Sequence, residues 1–283
     1  MKYKQEMEEA LRLISSAQEV LSNVLSCING TDTGESFDIE DFKLNQNKTL
    51  QNYIEGESNK LARKIGYAIA KNPGQQVYNP FYVFGPSGCG KSHLINAIGL
   101  MCIEHKPDLR VIYVTAQQFQ RQFTDAVRYN TMNDFMNLYR ATDMLIVDDI
   151  QEWKNMHKTV DAFLNIFNYL MDHDKQVIFA SDCSLVKLEG IKKSLLNRFA
   201  SGVVVELEKP DAKLCIDFLN RKCHKEGLKI PAEIVEHIAN AANSSIRKLE
   251  GIANSLKVYS SVNQVDIDMD IAKHIVENFV KLK

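Results

Sequence analysis

The chain lacks the cysteine spacing of a disulfide framework. Its six cysteines, Cys27, Cys89, Cys102, Cys183, Cys215 and Cys223, are scattered, and no two form a C-x-x-C pair. Reduced thiols account for that spacing better than a disulfide framework or a thiolate zinc site. An excess of either charge is also missing: 34 Lys and Arg stand against 36 Asp and Glu, for a net charge of −2. Global attraction to nucleic acid is thereby excluded, so any such contact has to come from a local patch. No apolar run approaches the ~18 residues of a membrane span. The N-terminus has no basic stretch leading into an apolar core. The expectation is a soluble, cytoplasmic protein that requires no membrane. Internal repeats and low-complexity tracts are absent too. What the chain does have is apolar material, 45% of 283 residues, enough for one large domain or two modest ones.

That material is distributed in three textures. In residues 1–29, Met7, Ala10, Ile14, Ala17, Leu21, Val24 and Ile28 step by three and four, a heptad seam widened by Leu11, Leu13, Val20 and Leu25. Such a helix fits packing on its own domain and fits self-association or partner binding equally well. NGTDTGES, Asn29 to Ser36, is dense in turn formers and reads as a linker. From Phe37 onward, helical and strand patterns alternate. Ser58 to Gly74 is a helix with an Asn-Pro-Gly stop, and FYVFG, Phe81 to Gly85, is a buried strand. Further strands are expected at Arg110–Ala116, Met144–Ile150, Gln176–Asp182 and Gly202–Glu208, with helices at 92–105, 116–130 and 160–174. Strands apolar on both faces and separated by helices predict an α/β fold, a parallel sheet between helical layers. After Pro210 the strand patterns stop, and amphipathic helices are expected at 211–226, 231–243, 245–260 and 267–281. The resulting division is an N-terminal helix and linker (1–36), a nucleotide-binding core (37–209) and a C-terminal helical lid (210–283).

Two short segments carry chemistry. Gly85-Pro86-Ser87-Gly88-Cys89-Gly90-Lys91-Ser92 fits G-x-x-x-x-G-K-[ST], and it stands between an expected strand and an expected helix, the setting the pattern requires. Its glycines let backbone N–H groups turn toward phosphates, and the following helix aims its dipole at them. Lys91 would meet the β- and γ-phosphates, and Ser92 would offer its hydroxyl to Mg²⁺. Cys89 reads as a small filler in the loop. His93, the next residue after the loop, is a further nucleotide-site candidate but fits a packing role in the first helical turn better. MLIVDD ends an apolar strand in two acids, at the sheet edge where ligands of α/β folds collect. Asp148 would then complete the metal shell, and Asp149 would orient or deprotonate the attacking water. Trp153, just beyond, suits a cap on the core beneath that strand or a partner contact.

On these segments and several others the chain resembles the AAA+ ATPases and, within them, the bacterial replication-initiator (DnaA) family. The resemblance runs from about Phe37 to Lys281. It rests on FDIEDF, IEGESNKLA, NPFYVFGPSGCGKSHLINAIG, MLIVDDIQ, ASD, LLNRF, GLKIP and SSIRKLEGIANSL. It implies an AAA+ ATP hydrolase using ATP/ADP and Mg²⁺ as a switch in replication initiation or its regulation. It also implies residue roles. Ile54 and Asn59 match the segment that closes over adenine, Asp182 the strand-tip sensor, Arg247 the lid arginine that touches the phosphates, and Arg198 the arginine finger that completes a neighbour's site. A finger acts in trans, so the resemblance implies ATP-dependent self-association; a surface ion pair is the other role open to Arg198. In the family, basic residues in the segment after the MLIVDDIQ strand grip single-stranded DNA. Here Lys154 and Lys158 are the candidates, beside the alternative of a solvated loop.

The chain also departs from the family pattern. Family members end in a helix-turn-helix domain that reads origin DNA, whereas this sequence stops after the lid, so duplex-specific binding is not expected of it. An arginine the family often carries four residues before the finger is Ser194 here. Alternatives to an initiator-type switch are a regulator that stimulates hydrolysis by a full-length initiator, and a helicase loader or transposition-type ATPase. A plain small-molecule kinase would leave the lid and finger motifs unexplained. The corresponding partners are a replication initiator, a helicase or single-stranded DNA.

Overall fold

A computed structural model describes residues 42–280. The expected N-terminal heptad helix and the linker boundary at residue 36 lie outside the described residues.

The core is built on five short strands: β1 (Phe81–Phe84), β2 (Val111–Thr115), β3 (Met144–Asp148), β4 (Gln176–Ser181) and β5 (Val203–Glu206). All pair in parallel, in the order β2-β3-β4-β1-β5. β3 and β4 are buried at every residue, as strands covered on both faces must be. One covering layer is α1 (Lys60–Lys71) and α2 (Lys91–His105). The helix α2 is apolar nearly all round because it lies between the sheet and α1. Gly66 on α1 and Gly99 on α2 allow the close approach: a Cβ at Gly66 would stand 2.9 Å from Ile98 Cγ1, and one at Gly99 2.9 Å from Ile146 Cδ1.

The opposite layer contains α3 (Ala116–Arg128), α4 (Met132–Arg140), α5 (His157–Asp172) and α6 (Lys193–Phe199). It is packed by aromatic rings. Phe119 meets Phe135, Tyr139, Trp153 and Phe163 at centroid distances of 4.9–5.5 Å, mostly edge to face. Phe179 of β4 continues the cluster to Phe199 at 4.3 Å. Burying each such ring contributes roughly 1.5–3 kcal/mol. Trp153 is fully buried and its indole N–H donates to the Ala116 carbonyl at 2.9 Å, so it caps this core.

Helices α4 and α6 were not expected from the sequence. They span nine and seven residues, too short to display the helical repeat convincingly. The strand expected to reach Ile150 stops at Asp148, because Asp149 adopts φ +55° and a 3-10 turn, Ile150–Trp153, begins there.

The lid comprises α7 (Ala212–Lys225), α8 (Ala232–Ala241), α9 (Ile246–Asn263) and α10 (Met269–Val280). Asp211 caps α7 by accepting from the Leu214 N–H at 2.7 Å, and Ser245 caps α9 through the Lys248 N–H. The lid has its own apolar core, centred on Leu219, Ile238, Leu249, Ile252 and Leu256. No helix among the described residues is long and apolar enough to cross a membrane.

Candidate functional site

The strand order decides where the site lies. The chain leaves β1 toward the β2 edge and leaves β4 toward β5, so the connections from these two adjacent strands run in opposite directions across the sheet. Ligands of open α/β sheets collect where the strand order reverses in this way. Register places Phe84 beside Ser181 and Val147 beside Phe179, which brings the β1, β3 and β4 tips to one edge.

Residues 85–90 form the whole connection from β1 to α2. Gly88 and Gly90 have φ of +81° and +102°, conformations in which a side chain is strained. Gly90 is the N-cap of α2, so the helix dipole opens onto the loop. Lys91 is only 7% exposed, and its ammonium donates to the carbonyls of Gly85 at 2.7 Å and Pro86 at 3.1 Å. A buried ammonium resting on two neutral acceptors is a cation for which a phosphate oxygen is the better partner. Two left-handed glycines, a helix N-terminus and this ammonium therefore fit a phosphate chain.

The two acids follow β3. Asp148 is 2% exposed; its Oδ1 accepts from the Asp149 N–H at 2.9 Å and its Oδ2 from the Tyr113 hydroxyl at 2.7 Å. Burial and the Asp148 charge together push the Tyr113 hydroxyl far above its ordinary pKa, and Ser92 acts on the same hydroxyl in the opposite sense. Ser92, in the first turn of α2, and Asp148, at the end of β3, supply a hydroxyl and a carboxylate, and hard oxygen donors of this kind suit Mg²⁺. Asp149 is half-buried, and its left-handed backbone carries strain of about 1–2 kcal/mol, a cost typical of functional turns. Gln151 Nε2 donates to Asp149 Oδ1 at 3.0 Å. Asp182 is exposed at the end of β4, directly after Ser181, whose carbonyl accepts from the Gly85 N–H at 3.2 Å.

Residues 54–59 and the lid close the other side. Asn59 is buried and its amide is engaged locally: it donates to the Ile54 carbonyl and accepts from the Gly56 N–H, both at 2.9 Å. Its visible work is to shape the turn that presents Ile54. A Cβ at Gly56 would stand 2.4 Å from Leu214 Cδ1, so this turn packs on α7 of the lid. From α9, the Ile246 N–H donates to the Gly88 carbonyl at 3.0 Å, and Arg247 Nη1 donates to Ser87 Oγ at 3.2 Å.

His93 donates from Nε2 to the Thr49 carbonyl at 2.9 Å and meets the Tyr53 ring edge to face; burial lowers its pKa. That is a packing role. Cys89 is buried in the loop, and burial raises its thiol pKa against the opposing pull of Lys91, so it stays a neutral filler. Arg198 is exposed on α6, and among the described residues no acid pairs with its guanidinium. Lys154 makes an exposed ion pair with Glu189 at 2.9 Å, while Lys158 is exposed in the first turn of α5. No hydrogen bond or ion pair among the described residues joins these three cations to the phosphate loop.

Four residues at the site escaped sequence reasoning: Tyr53, Tyr113, Gln151 and Ser245. Tyr53 is buried with its ring 3.3 Å from where a Gly90 Cβ would sit, and its hydroxyl has no hydrogen-bond partner among the described residues. Its neighbour Ile54 was the one visible signal for it. Gln151 could have been singled out by its place directly after the paired acids and one residue.

A sequence model of the bacterial DnaA ATPase domain matches residues 44–206. The chromosomal replication initiator protein DnaA of Bacteroides fragilis is 47% identical over 238 residues, covering 84% of this chain and 50% of that protein. Among solved structures, domain III of the Thermotoga maritima replication initiation protein DnaA superimposes with a TM-score of 0.81 at 30% identity, covering 84% of this chain and 99% of that one. A replication initiator DnaA bound to AMPPCP and single-stranded DNA gives a TM-score of 0.70 at 32% identity, covering 78% of this chain and 69% of that one. The chain spans about half the length of the curated relatives it matches.

Proposed function

Since the chain belongs to the bacterial DnaA family, carrying its AAA+ ATPase domain, we propose that it binds and hydrolyses ATP as a switch in replication initiation or its regulation. The observation that carries this reading is that core and lid meet on the phosphate loop itself, at Ile246–Gly88 and Arg247–Ser87. A lid hydrogen-bonded to the loop has to respond to what the loop holds.

The residue roles follow. The loop amides and Lys91 bind the phosphates, and Arg247 exchanges Ser87 for phosphate oxygen, which couples lid angle to ATP or ADP. Ile54, presented by Asn59, lies against the adenine. Mg²⁺, held by Ser92 and Asp148, supplies charge neutralisation on the phosphate oxygens when bound. Asp149 orients the attacking water and takes its proton, and Asp182 senses the γ-phosphate side. Arg198, exposed and without an acidic partner among the described residues, is available to a neighbouring subunit as a finger. This favours ATP-dependent assembly over a structural ion pair. Lys154 and Lys158 offer a surface to single-stranded DNA, the ligand carried by one of the similar DnaA structures. The Lys154–Glu189 pair is exposed to solvent, which screens it, and so opposes exchange for a phosphate only weakly. The core at 37–209 and the lid at 210–283 act as the two halves of the switch.

Lys91→Ala tests the reading directly. It removes the charge-assisted phosphate contacts, and ATP and ADP affinity should fall by on the order of 2–5 kcal/mol, measured by titration calorimetry. Unchanged affinity in a folded variant would dismiss the nucleotide site.

A further inference from the structure

The Asp149 carboxylate is held by a side chain to which nothing so far gives a role. Gln151 lies one residue beyond Ile150 in the 3-10 turn, half-buried. Its Nε2 donates to Asp149 Oδ1 at 3.0 Å. Its Oε1 accepts twice from the tip of β4: from the Ser181 hydroxyl and from the Asp182 N–H, each at 3.2 Å. The amide has one orientation that serves these partners, since a backbone N–H requires the oxygen and a carboxylate requires the NH₂. Ser181 is fully buried, and its carbonyl accepts from the Gly85 N–H, the first amide of the phosphate loop. The hydrogen-bonded path therefore runs from the loop through Ser181 and Gln151 to Asp149.

We propose that Gln151 is a positioning residue that ties the Asp149 carboxylate to the β4 tip, so that a change at Ser181–Asp182 is passed to Asp149. The proposal rests on the roles assigned above to Asp149 and Asp182. Three features make this more than local packing. Both oxygens of Asp148 are already engaged, by the Asp149 N–H and by Tyr113, so the first acid is fixed by other partners. The Asp149 backbone is left-handed, so the turn and not an extended strand sets the carboxylate's direction. With Oδ1 committed to Gln151, a water is left Oδ2 to bind. Movement of the β4 tip toward a γ-phosphate would shift Oε1 and, through the rigid amide plane, the group that holds Oδ1.

Gln151→Glu separates the two arms. It keeps an oxygen for Ser181 and Asp182 but sets a second carboxylate against Asp149; Gln151→Leu breaks both arms. Trp153, the only tryptophan of the chain, is fully buried in the same 3-10 turn and reports on it by fluorescence. The wild-type chain should give different Trp153 emission with ADP and with a non-hydrolysable ATP analogue. Gln151→Glu should bind both within about threefold of wild type yet lose that difference. Its kcat should fall about 10- to 100-fold with KM changed less than about threefold, the pattern of a misplaced group that matters only in the transition state. The assignment is overturned by a wild type whose emission does not distinguish the nucleotides, by a difference that survives Gln151→Glu, or by a kcat within about threefold of wild type. Gln151→Leu supplies the same readouts if the glutamate variant is poorly folded. Asp149→Asn tells the two readings apart. If its turnover is unchanged, the role of Asp149 itself fails; if it is slow while Gln151→Glu is not, only the relay fails.

Discussion

Gly88→Ala should loosen the lid from the loop, and its cost can be worked from the structure. Gly88 has φ +81°, and an alanine held there carries strain of about 1–2 kcal/mol. The new Cβ would stand 2.5 Å from Ser245 Oγ and 3.5 Å from the Cβ atoms of Ser245 and Arg247. Contact at 2.5 Å is impossible, so one of two things gives. If the Ser245 hydroxyl rotates away, it surrenders the α9 cap, its bond from the Lys248 N–H, worth about 1 kcal/mol. If α9 withdraws instead, the Ile246–Gly88 hydrogen bond is lost, also about 1 kcal/mol. Either route sums to about 2–3 kcal/mol, a drop in Tm of roughly 5–10 °C for a unit of this size. Melting followed by far-UV circular dichroism without nucleotide measures it. A double-mutant cycle identifies the route. Ser245→Ala alone should cost about 1 kcal/mol, but next to nothing on top of Gly88→Ala if the cap has already been given up. A Gly88→Ala chain that melts within about 2 °C of wild type would refute the assigned lid–loop contact.

Three other perturbations follow from particular contacts. Tyr53→Phe removes a buried hydroxyl that has no hydrogen-bond partner among the described residues, so it should raise stability by about 1 kcal/mol in chemical denaturation; a loss of stability would mean the hydroxyl is bonded. Asp143 gives a pH dependence. Burial pushes its pKa up, but hydrogen bonds and charge from Lys175 and Arg110 outweigh this and leave it below the usual value. Its contribution is therefore present above the unfolded value of about 3.9 and lost as pH falls through the lower folded value. Asp143→Asn should lower Tm at neutral pH and by progressively less as pH falls through the lower folded value; a loss that does not shrink with acid would contradict the ion pair. For Arg198→Ala, ATP turnover should drop on the order of 10³-fold or more in assembled chains. Mixing it with Asp149→Asn should restore activity at interfaces where an intact Asp149 site faces an intact Arg198, and failure of both tests would leave Arg198 without a role in trans.

The sheet was legible because its strands satisfy one rule at a time. FYVF, MLIVD and QVIFAS are apolar without alternation, and only burial on both faces explains that in segments so short. The helices lost from the sequence reading are those whose burial depends on few residues. In α4 the buried side chains are Phe135 and Tyr139, four residues apart, which is one contact pair and not a period. The strand overrun to Ile150 has a different cause. Ile150 is fully buried and looks like strand, but Asp149 turns the chain left-handed, and no apolar count registers a positive φ at an aspartate.

The site divides along the same line. The phosphate loop is legible because backbone geometry dictates residue type there: left-handed turns at Gly88 and Gly90, a helix N-terminus at Gly90, and a cation directly after it. Spacing carries such constraints, so eight letters suffice. Contacts between side chains from separate strands carry none. Tyr113 reaches Asp148 across 35 residues and Gln151 reaches Ser181 across 30. Only the parallel register that sets β2 beside β3 and β3 beside β4 makes them neighbours. A tyrosine on β2 is ordinary strand chemistry until the sheet puts its hydroxyl on a buried carboxylate. The same holds for Asn59, where sequence resemblance proposed a nucleotide contact and the structure has the amide holding Ile54 and Gly56. We propose that Asn59 acts on a nucleotide through the backbone it shapes. Asn59→Ala should therefore weaken adenine nucleotides and loosen the Ile54–Gly56 turn together. Hydrogen exchange at the Gly56 amide measured beside ADP affinity tests this: if affinity falls while that amide stays protected, Asn59 touches the nucleotide itself and the turn-shaping role is wrong.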